Sequence, residues 1–158
     1  HYNFGKYLQR LGHEPTVFVG SYLHNVNTQM ISDKSKIKLY KEASFPFHFV
    51  KTIDYSKSKL KRVFAMFQFY WNLMRSVGNL DKPDVVLGSS AHPLAALAAI
   101  RLGKKFGCQS IVEVRDLWPE SIIAYGSLKR HSLLAKILFK GEKWIYKKAD
   151  KLIFTMDC

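Results

Sequence analysis

The residues best placed to do chemistry are Arg115 and Asp116. They follow residues 110–114, a β-branched run that reads as a buried strand. A parallel fold would deliver both to the rim where its strands end. Arg115 can grip a phosphate through two parallel N–H donors, and Asp116 can accept a proton from a hydroxyl or hold that hydroxyl in place. The competing reading is an ion pair that pins the loop. A second loop, Ser89-Ser90-Ala91-His92-Pro93, lies between another short strand and the start of a helix. Free N–H groups and the helix dipole favour an anion there, though turn and capping chemistry accounts for the serines equally well. His92 can hydrogen-bond a phosphate or a sugar hydroxyl, but a lone loop histidine is more often simply exposed. Trp118-Pro119-Glu120 completes the set: Trp118 reads as the loop wall rather than a stacking platform, and Pro119 with Glu120 suits a helix first turn. Ser89, Ser90, His92, Trp118 and Glu120 are thus the candidate substrate contacts, and Arg115 and Asp116 the candidate catalytic pair.

The elements that must position them can be read along the chain. Residues 1–12 are a helix with Phe4, Tyr7, Leu8 and Leu11 at helical spacing, stopped by Gly12. Residues 16–19 are a short strand, and 21–44 a long polar surface connection. An irregular strand follows within 45–53, with Pro46 at its start. Leu60, Val63, Phe64, Phe67, Trp71 and Met74 mark a helix over 60–77. Residues 84–88 are a compact, buried-looking strand. Pro93 opens an alanine-rich helix, able to lie close to a sheet, that Gly107 ends. After the strand at 110–114 come a short helix, a longer one over 132–149 with Leu134, Ile137, Leu138 and Ile145 as its packing stripe, and a strand beginning at 151. Strand and helix alternate as in βαβ units, which predicts an α/β fold with a Rossmann-like parallel sheet and flanking helices.

The chain has 158 residues, enough for one domain with a real core, and a hydrophobic content of 47% excludes wholesale disorder. Its charge is the outlier, with 25 Lys plus Arg against 12 Asp plus Glu. That excess attracts nucleic acid, an anionic bilayer or phosphorylated substrates without choosing among them; a solvated basic face is the plain alternative. The best guide is the segment 57–77. It carries Lys57, Lys59, Lys61, Arg62 and Arg75, with no acid between Asp54 and Asp81. Its aromatic residues exceed what a single packing face needs. Basic flanks beside Phe67 and Trp71 suit a helix lying among lipid headgroups, so Lys59, Lys61, Arg62, Phe67 and Trp71 are the candidate membrane contacts. The lysines of 132–149 read as an ordinary solvated face.

Absent motifs narrow the chemistry. The sequence has no P-loop, HExxH, GxSxG or GxGxxG, which counts against ATPase, serine-hydrolase and dehydrogenase readings. The cysteines, Cys108 and Cys158, lack metal or disulfide spacing and fit a reducing compartment. No metal cluster is expected, and no apolar run is long enough to span a membrane.

Taken in order, these pieces resemble a known pattern. Leu8-Gln9-Arg10-Leu11-Gly12-His13-Glu14 leads into a strand. Pro83-Asp84-Val85-Val86-Leu87-Gly88-Ser89-Ser90 runs on to His92-Pro93, and Glu113-Val114-Arg115-Asp116-Leu117-Trp118-Pro119-Glu120-Ser121 follows. The chain resembles the amino-terminal domain of group 1 (family 4) glycosyltransferases over nearly its whole length, and within them the bacterial branch of the fucosamine-transferase type that builds O-antigen and capsule sugars. The resemblance implies half of a GT-B fold, two Rossmann-like domains facing across a cleft, with residues 1–158 forming part of the acceptor-binding half. The expected donor is a nucleotide sugar, bound by the other half, and the expected acceptor a lipid-linked glycan. Transfer would retain the anomeric configuration, with no cofactor and no essential metal. The expected setting is the inner face of the cytoplasmic membrane, with an anionic membrane surface as partner and no nucleic acid. Arg115 and Asp116 match the family's cleft-lining pair, and Ser89, Ser90 and His92 its loop after the central strand. Two departures stand out: many members carry histidine at the position of Arg115, and Ala91 replaces a usual proline. Members also begin with a central strand ahead of the first helix, so a fragment lacking it and the donor half is expected to leave a gap in the sheet and to show no transfer by itself. The alternative of a different class is a non-catalytic basic module that binds membrane or nucleic acid.

Overall fold

The computed structural model describes residues 1–56 and 58–155, so Lys57 and Cys158, and with them the side chain of Lys59, lie outside what is described. The chain divides into two compact units, His1–Asn79 and Leu80–Cys158. The protein is α/β, with parallel strands and flanking helices.

In the first unit, α1 (Tyr2–Arg10) is followed by Gly12 at φ +85°, the left-handed stop its position predicts. Strands β1 (Val17–Gly20) and β5 (Phe47–Val50) pair in parallel, and β4 (Ile37–Leu39) adds to the other edge of β5 in antiparallel fashion. The polar stretch 21–44 is therefore not an unstructured connection. Besides β4 it holds the small hairpin β2 (Tyr22–Leu23) and β3 (Thr28–Gln29). Few alternating apolar residues announce these strands; Ile31 is buried among Phe45, Phe47 and Phe49, and such a long-range contact leaves no local signal. The core here is aromatic, with Phe47 edge-on to Phe49 at 5.6 Å between ring centres.

Helix α2 (Lys59–Ser76) is capped by the Ser58 hydroxyl, which accepts from the Lys61 N–H. Its inner face is Ala65, Phe69 and Leu73. Two polar side chains fix that orientation. The Asn72 amide donates to the Lys51 carbonyl at 2.9 Å, and the Ile53 N–H donates to Gln68 Oε1 at 2.7 Å. The row Leu60, Val63, Phe64, Phe67 and Trp71 lies on the other side of the helix and faces solvent.

The second unit contains β6 (Val85–Ser89), α3 (Pro93–Phe106), β7 (Gln109–Val114), α4 (Glu120–Ala124), α5 (Leu133–Lys148) and β8 (Lys151–Phe154). Its three strands are all parallel, in the order β6-β7-β8. Helices α3 and α5 contribute Ala96, Ile100 and Ile145 to a core with Val112 and Val114. The alanine-rich α3 lies close to the sheet as expected. A Cβ added to Gly88 would stand 2.6 Å from the Ala99 Cβ and 2.8 Å from the Ala95 carbonyl oxygen. At the amino end of the sheet, one Asp150 carboxylate oxygen accepts from the N–H and the hydroxyl of Ser110, at 2.8 and 2.7 Å. Those bonds hold the Asp150 carboxyl below the usual range.

Two expectations of burial need correction. β6 is not buried: Val85 and Leu87 are exposed, because β6 is an edge strand and the core of this unit lies on the other face of the sheet. On α5, Leu134 and Ile137 of the expected stripe are likewise exposed, whereas Ile145 is buried as expected and Leu138 half-buried, with Ala135 completing the inner face. Parallel pairing occurs in two separate sheets, with β1 and β6 each at an edge of its own.

Candidate functional site

The candidate residues lie at the carboxyl rim of β6-β7-β8, within the second unit. Parallel register sets Ser89 beside Glu113, so the loops that leave β6 and β7 start side by side. The Ser90 N–H donates to the Glu113 carbonyl at 2.8 Å, which extends the ladder one step past the strand. Ser90 then turns its hydroxyl across the sheet to accept from the Arg115 N–H at 3.1 Å. Its side chain is buried. Ser90 therefore acts first as a brace that fixes where Arg115 and Asp116 begin.

His92 is the cap of α3. Its extended backbone and its Nδ1, which accepts from the Ala95 N–H at 3.2 Å, satisfy one of the free amides of the first turn. Accepting at Nδ1 places the proton of the neutral ring on Nε2. Pro93 occupies the first helical position, where its missing N–H is harmless.

Arg115 and Asp116 are both exposed at the rim. Among the described residues no ion pair joins them. The backbone is thus held while both side chains remain presented to solvent. Trp118 and Glu120 open α4. The Trp118–Pro119 peptide bond is cis, and Pro119 is fully buried. Glu120 is paired through Oε1 with the Arg130 guanidinium, a partner that nothing in the local sequence pattern singles out.

The rim also holds unused hydrogen-bonding capacity. Ser89 Oγ, Trp118 Nε1 and Glu120 Oε2 are shielded from solvent and meet no hydrogen-bond partner within the described residues. Polar groups in that condition cost about 1–3 kcal/mol each, a cost that the fold carries at this rim. Sequence reasoning missed Glu113. It is the acid in a strand whose alternate residues, Val112 and Val114, are buried, and the period-two pattern places it on the face away from the core.

The other features lie elsewhere. A cleft of about 280 Å³ in the first unit is lined by Met30, Leu39, Tyr40 and Phe49 with Lys38, Lys41 and Glu42, none of them a candidate. Among the described residues no group of three His, Cys, Asp or Glu side chains could hold a metal ion. No described helix is long and apolar enough to cross a membrane. The candidate membrane contacts Lys61, Arg62, Phe67 and Trp71 are exposed on α2, with the Arg75 guanidinium 4.4 Å from the centre of the Trp71 ring.

A βαβ rim of this kind serves many chemistries, so the family has to come from the sequence as a whole. Comparison with curated proteins and with solved structures gives no match. The family model for Glycosyltransferase Family 4 matches residues 2–157, nearly the full length, and the chain belongs to that family.

Proposed function

We propose that this chain is the acceptor-binding part of a retaining glycosyltransferase. On this reading it helps move a hexosyl or N-acetylhexosaminyl group from a nucleotide sugar to a lipid-linked glycan, in the synthesis of a bacterial surface polysaccharide such as O-antigen or capsule. The observation that carries the reading is the family match over residues 2–157, combined with an exposed Arg115–Asp116 pair whose backbone is braced at the rim.

In glycosyl transfer the bond from the anomeric carbon to the leaving diphosphate breaks as a bond to the acceptor oxygen forms. Retention requires the acceptor hydroxyl to be held on the face of the sugar from which the diphosphate departs, and its proton passes to the departing phosphate oxygen. Asp116 is the group to hold that hydroxyl. Arg115 supplies a fixed positive charge for a phosphate. Ser89, Trp118 and Glu120 stand on the same two loops as candidate acceptor contacts, and Ser90 and His92 keep those loops in place. No bound metal has a part in this scheme, because side-chain and helix-end charge can stabilise the leaving diphosphate. The basic, aromatic outer face of α2 suits a peripheral position at the inner face of the cytoplasmic membrane, where lipid-linked acceptors reside.

The test is transfer by the protein expressed in its full coding context, with membrane extract as acceptor and a panel of nucleotide sugars. Product that falls about a hundredfold or more in Asp116→Ala, with the fold intact, is the expected result. Absence of transfer with every donor would overturn the reading in favour of a binding module.

A further inference from the structure

Helix α5 presents a face that its sequence position in a core would not lead one to expect. Leu133, Ile137 and Trp144 are 75%, 57% and 43% exposed. At 100° per residue they fall within a narrow arc, so they form one continuous apolar stripe along the helix. Lys136, Lys140, Lys143 and Lys147 are all exposed and fall in the adjacent arc. The opposite side carries the buried Ala135 and Ile145, and the acid of this helix, Glu142, is turned that way and bonded by the Tyr146 hydroxyl at 2.8 Å. The outward face therefore combines bare apolar side chains with an unbroken row of positive charge.

We infer that this face of α5 is a lipid-contact surface that lies flat in the headgroup layer of an anionic membrane. At 16 residues the helix falls short of the 20 or so needed to span a bilayer, and its lysines would forbid crossing. Lying in the interface satisfies every group on it. Leu133 and Ile137 enter the acyl boundary, Trp144 sits at the headgroup level, and the lysine stems snorkel towards lipid phosphates. A nucleic acid would meet the lysines but would leave the apolar stripe beside them in water, so the lipid surface fits the whole face. The inference does not rest on the transfer reaction, and it concerns a surface separate from that of α2.

The experiment is co-sedimentation of the chain with vesicles of phosphatidylcholine, with and without phosphatidylglycerol, coupled to tryptophan quenching by brominated acyl chains. Binding should require the anionic lipid. Trp144→Phe should remove a large part of the quenching, and the triple variant Lys136→Glu, Lys140→Glu, Lys143→Glu should bind about tenfold or more weakly while its circular dichroism is unchanged. Quenching undiminished in Trp144→Phe, or wild-type binding by a folded triple variant, would overturn the inference. So would retention on duplex DNA without retention on anionic vesicles. A parallel variant on α2, Lys61→Glu, Arg62→Glu, Phe67→Ser, separates the two surfaces: binding lost only there assigns membrane contact to α2 and removes it from α5.

Discussion

The Arg115 N–H donates to the buried Ser90 hydroxyl at 3.1 Å, so the loop after one strand takes its starting geometry from the loop after its neighbour. The two residues are far apart in sequence, and parallel register is what brings them together. Through this bond a serine with no charge controls where the charged pair at the rim is presented.

Removing the brace should be felt first in stability. Ser90→Ala leaves the Arg115 N–H without its partner, and a loss of about 1–3 kcal/mol is expected in urea unfolding. Ser90→Thr, if the extra methyl is accommodated, should recover part of it. An unchanged midpoint in Ser90→Ala would show that the loop is held by other contacts.

Arg115 and Asp116 should behave in the opposite way. Both are exposed, so Arg115→Ala and Asp116→Ala are each expected to change stability by no more than about 0.5 kcal/mol. In transfer assays Asp116→Ala should lower kcat, while Arg115→Ala should act mainly on the KM for a phosphate-bearing acceptor. A large destabilisation in both variants would show that these side chains hold the loop rather than wait for a ligand.

Gly88 tests how closely α3 approaches the sheet. A methyl group at this position meets the Ala99 Cβ at 2.6 Å and the Ala95 carbonyl at 2.8 Å, and a backbone atom cannot swing aside as a long side chain can. Gly88→Ala should cost about 1–3 kcal/mol, read from the unfolding midpoint. Ala99→Gly in the same chain should relieve the Cβ clash and restore some of that loss.

His48 predicts a pH dependence. It stacks on Phe18 at 5.0 Å between ring centres, and burial holds its imidazole below the ordinary value of 6.5. The folded state thus favours the neutral ring. That contribution is fully present above the unfolded-state pKa and is lost as pH falls through the lower folded-state value. Stability of the first unit should decline on acidification from roughly pH 7 towards pH 5, and His48→Phe should flatten that decline. Parallel unfolding curves for the two proteins at both pH values would refute the assignment.

Local chemistry made much of this protein legible in its sequence. Gly12 and Gly107 stop helices because the left-handed conformation suits glycine, and Pro93 starts one because its N–H is not needed there. The rhythm of strands and helices gave the α/β class, and the rule that ligands lie beyond parallel strand ends put Ser89, Ser90, Arg115 and Asp116 at one rim before their positions were visible. These inferences succeed because each depends on a few neighbouring residues or on a topology with few alternatives. The sequence did not disclose which side of α2 or α5 is buried. Both helices carry apolar residues around much of their circumference, and the choice falls to distant partners. Gln68 and Asn72 reach backbone groups beyond β5, and Ala135 and Ile145 give α5 its inner face. The brace from Ser90 to Arg115, the pairing of Glu120 with Arg130 and the strands within 21–44 are likewise set by tertiary structure, since hydrogen bonds between remote segments carry no periodic mark in either one.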